Sequence, residues 1–373
     1  MHDLSIPVKE YEKLASQFDP YHFDADTLVR FAKSWGMKYL VFTAKHHDGF
    51  ALYHSKVDAY NCYDASPCKR DLVKELQVAC EKYDLKFCIY YSQAQDWHEK
   101  NAFYAGRETS TSDFNTYLEK KCIPQLQELL TEYGKISAIW FDTPQEMTTE
   151  QSNTLLHLVK ELQPDCLVSG RIGNNKGDYY SFGDNALPIG PIQGDWEVPA
   201  TLNDTWGFNK DDHNWKDSQE ILTNLLKINS RGGNYLLNIG PDATGEVPKG
   251  CLDILKTVGS YVHQNEEAIF ATRAVFGNSY ELSFGEMTAK DYRVFLHVIH
   301  KPLQYIWLRN LLGHIESVSI IGSSEKVRFS KIDTHEMTRL TIDIPKSYHN
   351  KINYCIKICL KEKDIQFMPI QVN

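Results

Sequence analysis

A chain of 373 residues is too long for one small domain and suggests about two, one of them of barrel size, roughly 250 residues. Its 24% charged and 42% hydrophobic residues are those of an ordinary globular protein. A formal net charge of −9 without a long basic run argues against nucleic acid or an anionic membrane as partner. The opening Met-His-Asp-Leu-Ser-Ile-Pro has no basic end leading into an apolar run, so no signal peptide is expected, and no stretch is long enough to span a bilayer. The nine cysteines form no zinc-ligand spacing and no CxxC. Cys62 with Cys68, or Cys355 with Cys359, would bridge only if geometry allowed, whereas Cys88 and Cys166 sit in apolar runs as buried thiols.

Asp24 opens a helix whose Leu28, Phe31, Ala32 and Trp35 share a face, and Gly36 closes it. The strand Lys38–Lys45 follows and exits into His46-His47-Asp48-Gly49. The unit recurs: a helix over 71–83 with Leu72, Leu76, Ala79 and Cys80 on one face, then a strand over 86–92 that exits at Asp96-Trp97. A long helix over 112–133 leads to Ser137–Pro144, an apolar run that ends on one carboxylate, Asp142. A helix over 150–162 leads to Cys166–Arg171, and a Gly- and Asn-rich loop over 173–194 precedes Asp195-Trp196-Glu197 and Thr205–Phe208. A helix over 218–228, the strand 233–241 and a helix over 252–264 complete the series.

Strands alternating with helix-length crossovers imply parallel βα units. Polar and aromatic residues cluster at five or more strand exits and no Gly-rich phosphate turn follows any strand. This favours a TIM-like (β/α) barrel over an open doubly wound sheet. Beyond Thr272 the pattern switches to period-two alternation, in segments 280–284, 293–299, 317–321, 327–332, 338–344 and 353–360, so a C-terminal antiparallel β-sandwich is expected. The expected domains are 1–271 and 272–373.

A strand covered on both faces is a continuous apolar run, so the lone Asp142 at its end is the informative residue, although an aspartate there also suits a simple turn. His46 and His47 both reach one ligand only if the chain bends after the strand. A metal reading needs further donors, and Arg171 at a neighbouring exit opposes a cation; no metal or other cofactor is expected. Paired carboxylates suit glycoside hydrolysis, and the second is to be found among Glu197, Asp195 and Asp184. Arg171 can fix a hydroxyl or a carboxylate, while Tyr91, Trp97, Trp196 and Trp206 can stack on a sugar or serve the core.

Six motifs in order resemble the α-L-fucosidase family of glycoside hydrolases: Thr43-Ala-Lys-His-His-Asp-Gly-Phe50, Tyr90-Tyr-Ser92, Trp140-Phe-Asp142, Trp196-Glu197, Thr205-Trp-Gly-Phe208 and Gly233-Asn-Tyr-Leu-Leu-Asn-Ile-Gly-Pro241. The resemblance covers roughly residues 7 to 270, and the all-β tail resembles that family's C-terminal sandwich. It implies a retaining double displacement that releases L-fucose from fucosylated glycans, with Asp142 as the nucleophile. By the same resemblance His46, His47, Arg171 and Tyr91, with its neighbour Tyr90 the alternative, bind the sugar. Family members differ in the loop that supplies the acid/base. Glu197 matches one placement and Asp184 the other, and Glu197 is preferred because an acid beside an indole is readily kept protonated by desolvation. The family carries a first barrel strand ending in His-Trp-Gly upstream of Ile6, so the barrel is expected to be incomplete at its N-terminus, and a fucose-binding relative without turnover is the alternative. Family members are usually exported; oligomeric state stays open.

Overall fold

The computed structural model describes residues 1, 4–103, 113–190, 192–275, 282–334, 337–362 and 365–367. Two compact bodies form: Met1–Ser181 with Gly207–Asn209 and Gly240–Pro248, and Phe182–Trp206 with Lys210–Ile239 and Lys249–Asn373.

The first body is built on a parallel sheet of β1 (Tyr39–Lys45), β2 (Lys86–Tyr91), β3 (Ala138–Phe141) and β4 (Leu167–Val168), in that spatial order. Sequence order equals spatial order, so within these four strands there is no reversal of the kind that marks a doubly wound switch point. One helix leads into β1 and others supply the crossovers. Ala25–Ser34 is capped by Asp24 on Thr27 N, Leu72–Lys82 by Asp71 on Lys74 N, and Thr149–Leu162 by a capping box of Thr148 and Gln151. Val29, Leu76, Ile89, Leu126, Ile139 and Val159 are fully buried in one core between sheet and helices.

Three details depart from the sequence expectation here. Phe31 is 37% exposed and stacks on Trp35, while Val29 takes the buried position. The helix expected over 112–133 is three pieces, Phe114–Tyr117, a π-turn over Leu118–Cys122 and Ile123–Glu132; Pro124, which has no N–H to donate, sits in the first turn of the last, and Ser112 lies outside the described residues. All nine cysteines are free. Cys355 and Cys359 lie four residues apart on one extended strand, which separates them beyond disulfide reach.

In the second body the strands Trp196–Thr201 and Asn234–Asn238 pair in parallel around the crossover helix Ser218–Ser230. Period-two and apolar-run reasoning does not find Trp196–Thr201, because Pro199 inside it demotes the run. Gly233 is needed here: a Cβ at that position would overlap the Trp196 indole. Antiparallel sheets follow, one of four strands (Gly285–Lys290, Arg293–Val298, Tyr354–Leu360, Ile315–Ile320) and one of three (Tyr305–Arg309, Thr338–Asp343, Arg328–Asp333). Val294, Leu296, Leu340, Ile342, Ile356 and Ile358 fill the core between them. The first expected strand of this region, 280–284, is described only from Leu282 onward. Tyr280 and Glu281 lie outside the described residues, Ser283 and Phe284 form a turn, and the strand starts at Gly285. Gly285–Lys290 and Tyr305–Arg309 escape the sequence reading.

Candidate active site

Four consecutive strand exits of the first body bring polar groups together. β1 breaks at Lys45, and the Gly49 N–H to His46 carbonyl turn (3.1 Å), with Gly49 at φ +82°, bends the chain at once. The bend lets two adjacent imidazoles face one place, their centroids 4.3 Å apart. Asp48 does not join them. It accepts from Phe50 N (3.1 Å) and is packed so that burial pushes its carboxyl up to about 6.

Asp142, at the exit of β3, is 9% exposed. Arg171 donates to its Oδ1 (3.1 Å) and the Tyr90 hydroxyl to its Oδ2 (2.7 Å), while His47 Nε2 lies 3.5 Å from Oδ2. Gln93 fixes the backbone behind it: its side-chain oxygen accepts from Asp142 N (2.9 Å) and its amide donates to the Arg171 carbonyl (3.1 Å). Both carboxylate oxygens are therefore set in direction by donors from β2 and from the 3-10 turn Gly170–Ile172 that follows β4.

The planar groups of the four exits form a stack across the sheet. His46 lies on Tyr90 (5.2 Å, 4°), Tyr90 on Trp140 (5.4 Å, 19°), and the Arg171 guanidinium over Trp140 (4.7 Å). Tyr90 and Trp140 are direct register partners, so strand pairing itself places the rings. His46 keeps exposed surface, but the groups packed around its ring lower its proton affinity by desolvation, with Asp142 opposing and Lys45 adding to the fall. Trp97 packs 5.7 Å from the His47 ring, its indole N–H on Gln95 Oε1 (3.1 Å) and its backbone N–H on the His47 carbonyl (2.6 Å).

The tyrosine that meets Asp142 is Tyr90, not Tyr91. Successive strand side chains point to opposite faces. Tyr91 is fully buried on the other face, where it donates to Gln125 Oε1 (2.8 Å) beneath Lys45 (Nζ to ring centroid 4.7 Å). Tyr90→Phe should lower turnover of an α-L-fucoside about ten-fold, the loss of one hydrogen bond to a charged group, at a stability cost of about 1–2 kcal/mol. Tyr91→Phe should cost about 1 kcal/mol in denaturant unfolding with kcat/KM within two-fold. Equal kinetic effects in the two variants would contradict this assignment.

The remaining expected residues belong to the second body. Glu197 is 4% exposed within the strand Trp196–Thr201. Asp184 is exposed in the turn closed by Ala186 N on the Gly183 carbonyl (3.0 Å). Asp195 is exposed beside the buried Trp196, and Trp206 is 40% exposed with its carbonyl held by Asn238 Nδ2 (2.6 Å). Trp140, Ser92 and Gln93 were not singled out as site residues. A Gln after Tyr-Tyr-Ser carries no charge to betray it, whereas Trp140 lies two residues before the strand-end acid, the spacing that shares a strand face.

His46, His47 and Asp142 offer donor atoms all within 4.8 Å of one another, a set that could hold a metal ion. A cation there would meet the Arg171 guanidinium already on the carboxylate, and two imidazoles with one shared carboxylate fall short of a closed site.

A short parallel βα scaffold with acid, imidazole, arginine and aromatic groups at its strand exits defines an α/β protein of the (β/α)-barrel class, followed by a C-terminal β-sandwich. The profile described as alpha-L-fucosidase matches residues 5–267, and the chain belongs to that family. A putative α-L-fucosidase of Caenorhabditis elegans is 30% identical over 285 residues, covering 72% of this chain and 57% of that protein. The crystal structure of an α-L-fucosidase from Vibrio sp. strain EJY3 superposes with a TM-score of 0.90 at 32% identity, covering 97% of this chain and 66% of that one. A variant α-L-fucosidase from Lactobacillus casei, in complex with Fuca(1,6)GlcNAc, gives a TM-score of 0.64 at 41% identity, covering 71% of this chain and 87% of that one. The chain thus spans less than two thirds of the length of the nematode and Vibrio relatives. No helix among the described residues is long and apolar enough to cross a membrane.

Proposed function

We propose that this chain hydrolyses terminal α-L-fucosides with retention of configuration, residues 1–271 carrying the reaction and 272–373 forming the sandwich. The observation that carries this reading is Asp142 at the end of β3, both oxygens oriented by Arg171 and Tyr90. A nucleophilic carboxylate must be held in line with the anomeric carbon, and fixed orientation is what such a pair of donors supplies. Attack by Asp142 would form the glycosyl ester as an acid protonates the departing oxygen. Water, deprotonated by the same residue, would then release the sugar. Glu197, buried in the strand Trp196–Thr201, is the preferred acid over Asp184, which is exposed on a turn. His46, His47 and Tyr90 would meet the hydroxyls and ring of fucose, with Trp97 and Trp206 as apolar walls.

Incubation with 4-nitrophenyl α-L-fucopyranoside, followed by proton NMR, tests the reading. α-L-Fucose should appear first and mutarotate later; first appearance of the β-anomer would overturn retention. Fucose binding by calorimetry without nitrophenol release would instead leave a lectin-like protein, and neither binding nor release would remove the sugar site altogether.

A further inference from the structure

We propose that Ser92, together with the Gln95 carbonyl, is a positioning device that holds His47 with its proton on Nδ1, so that Nε2 is the ring atom turned toward Asp142 and a bound ligand. The kinetic part of this proposal rests on the fucosidase reading; the tautomer does not.

Ser92 is fully buried immediately after β2, and its backbone N–H donates to the Lys45 carbonyl (3.0 Å). Its hydroxyl oxygen lies 2.6 Å from His47 Nδ1 and 2.9 Å from the Gln95 carbonyl oxygen. A hydroxyl has one proton, and a carbonyl oxygen can only accept. If Ser92 gave its proton to His47, two oxygen lone pairs would face each other at 2.9 Å in a buried place, with nothing between them. An unmade hydrogen bond there costs more than a made one returns. The proton therefore goes to Gln95, and Ser92 accepts from His47 Nδ1–H.

That order decides the other side of the ring. Nε2 sits 3.5 Å from Asp142 Oδ2, which already accepts from Tyr90. With Nδ1 protonated, Nε2 presents a lone pair in the neutral ring. It can accept a ligand hydroxyl, or it can take up a second proton and pair with the carboxylate. The opposite tautomer would permanently donate Nε2–H to Asp142 and could not accept from a ligand. Gln95 also receives the Trp97 indole N–H through its side chain (3.1 Å), so one residue sets both the relay and the aromatic wall. The second-layer partner of an imidazole fixes its tautomer, here through a hydroxyl rather than a carboxylate.

Long-range proton–nitrogen correlation spectra of the whole chain labelled at histidine, with His47 assigned by loss of its signals in His47→Gln, test this. At the alkaline end of its titration His47 should show Nδ1–H and bare Nε2. In Ser92→Ala that pattern should be lost or mixed, with kcat/KM down about ten-fold, and Ser92→Thr should restore both. An Nε2–H form in the parent overturns the proposal whether or not the variants fold. Ser92→Ala leaving both tautomer and kcat/KM unchanged overturns it as well. If no fucoside is turned over, the function proposed above fails, while the parent spectrum still decides the tautomer.

Discussion

Asp142→Asn is expected to lower fucoside hydrolysis by at least about 10³-fold while the protein stays folded, the scale of loss on removing a covalent nucleophile. The substitution preserves shape, and the Tyr90 hydroxyl can still donate to the amide oxygen. What disappears is the charge that would attack the anomeric carbon in the proposed reaction, together with the partner of Arg171, which is 3.1 Å away and 20% exposed in its side chain. Water reaches that ion pair in part, so stability should move by no more than about 1–2 kcal/mol. A hydrogen-bond variant such as Tyr90→Phe takes away only orientation, which is why its expected loss is some hundred-fold smaller. In Asp142→Gly the vacated space should admit azide, and added azide should restore release of the nitrophenol with a β-L-fucosyl azide as product. Asp142→Asn with a tenth or more of parental activity, or an α-configured azide product, would remove Asp142 as the nucleophile.

How much of this was legible in the sequence follows from what each residue's signal depends on. Asp142 stood out because one carboxylate closed an otherwise apolar run, and that contrast survives without coordinates. The four parallel strands were legible because a helix-length segment separates each of them from the next. The choice between Tyr90 and Tyr91 was not, since it turns on strand parity: Tyr90 pairs with Trp140 and Tyr91 with Phe141, and only the sheet says which pair faces Asp142. The roles of Gln93 and Ser92 were hidden because neutral polar residues announce nothing until their partners, distant in sequence, are placed. Trp196–Thr201 was hidden by Pro199, and Phe31 misled because an exposed aromatic stacked on Trp35 mimics a core position.

The buried charges behind the site carry the other large expected effect. Asp96, fully buried, lies 3.2 Å from Lys45 Nζ and 2.9 Å from Lys121 Nζ, and Lys121 also reaches Asp58 at 2.5 Å. Burial pushes the Asp96 carboxyl up, but Lys45 and Lys121 outweigh it and hold it below the ordinary carboxylate range. Burial likewise pulls Lys45 down, and there Asp96 does not fully compensate. The asymmetry says which member is costly to lose. Asp96→Ala strands the Lys45 ammonium inside the protein and leaves Lys121 with Asp58 alone, and should cost about 3–5 kcal/mol, roughly 10 °C in Tm. Lys45→Met removes a charge that the fold already disfavours and leaves Asp96 paired with Lys121, so it should cost much less. The double variant Lys45→Met/Asp96→Ala should be more stable than Asp96→Ala alone, a coupling of about 1–3 kcal/mol. With a folded pKa below the unfolded one, Asp96 contributes its full stabilisation above about pH 4 and loses it as pH falls further, so the acid-unfolding limb should be shallower in Asp96→Ala than in the parent. The loss should also reach the site, because Lys45 immediately precedes His46 and Asp96 immediately precedes Trp97. Gly49, whose Cβ would overlap Asp96 Oδ1, ties the turn to the same carboxylate. A double variant no more stable than Asp96→Ala would show that the ammonium groups are not what makes Asp96 indispensable.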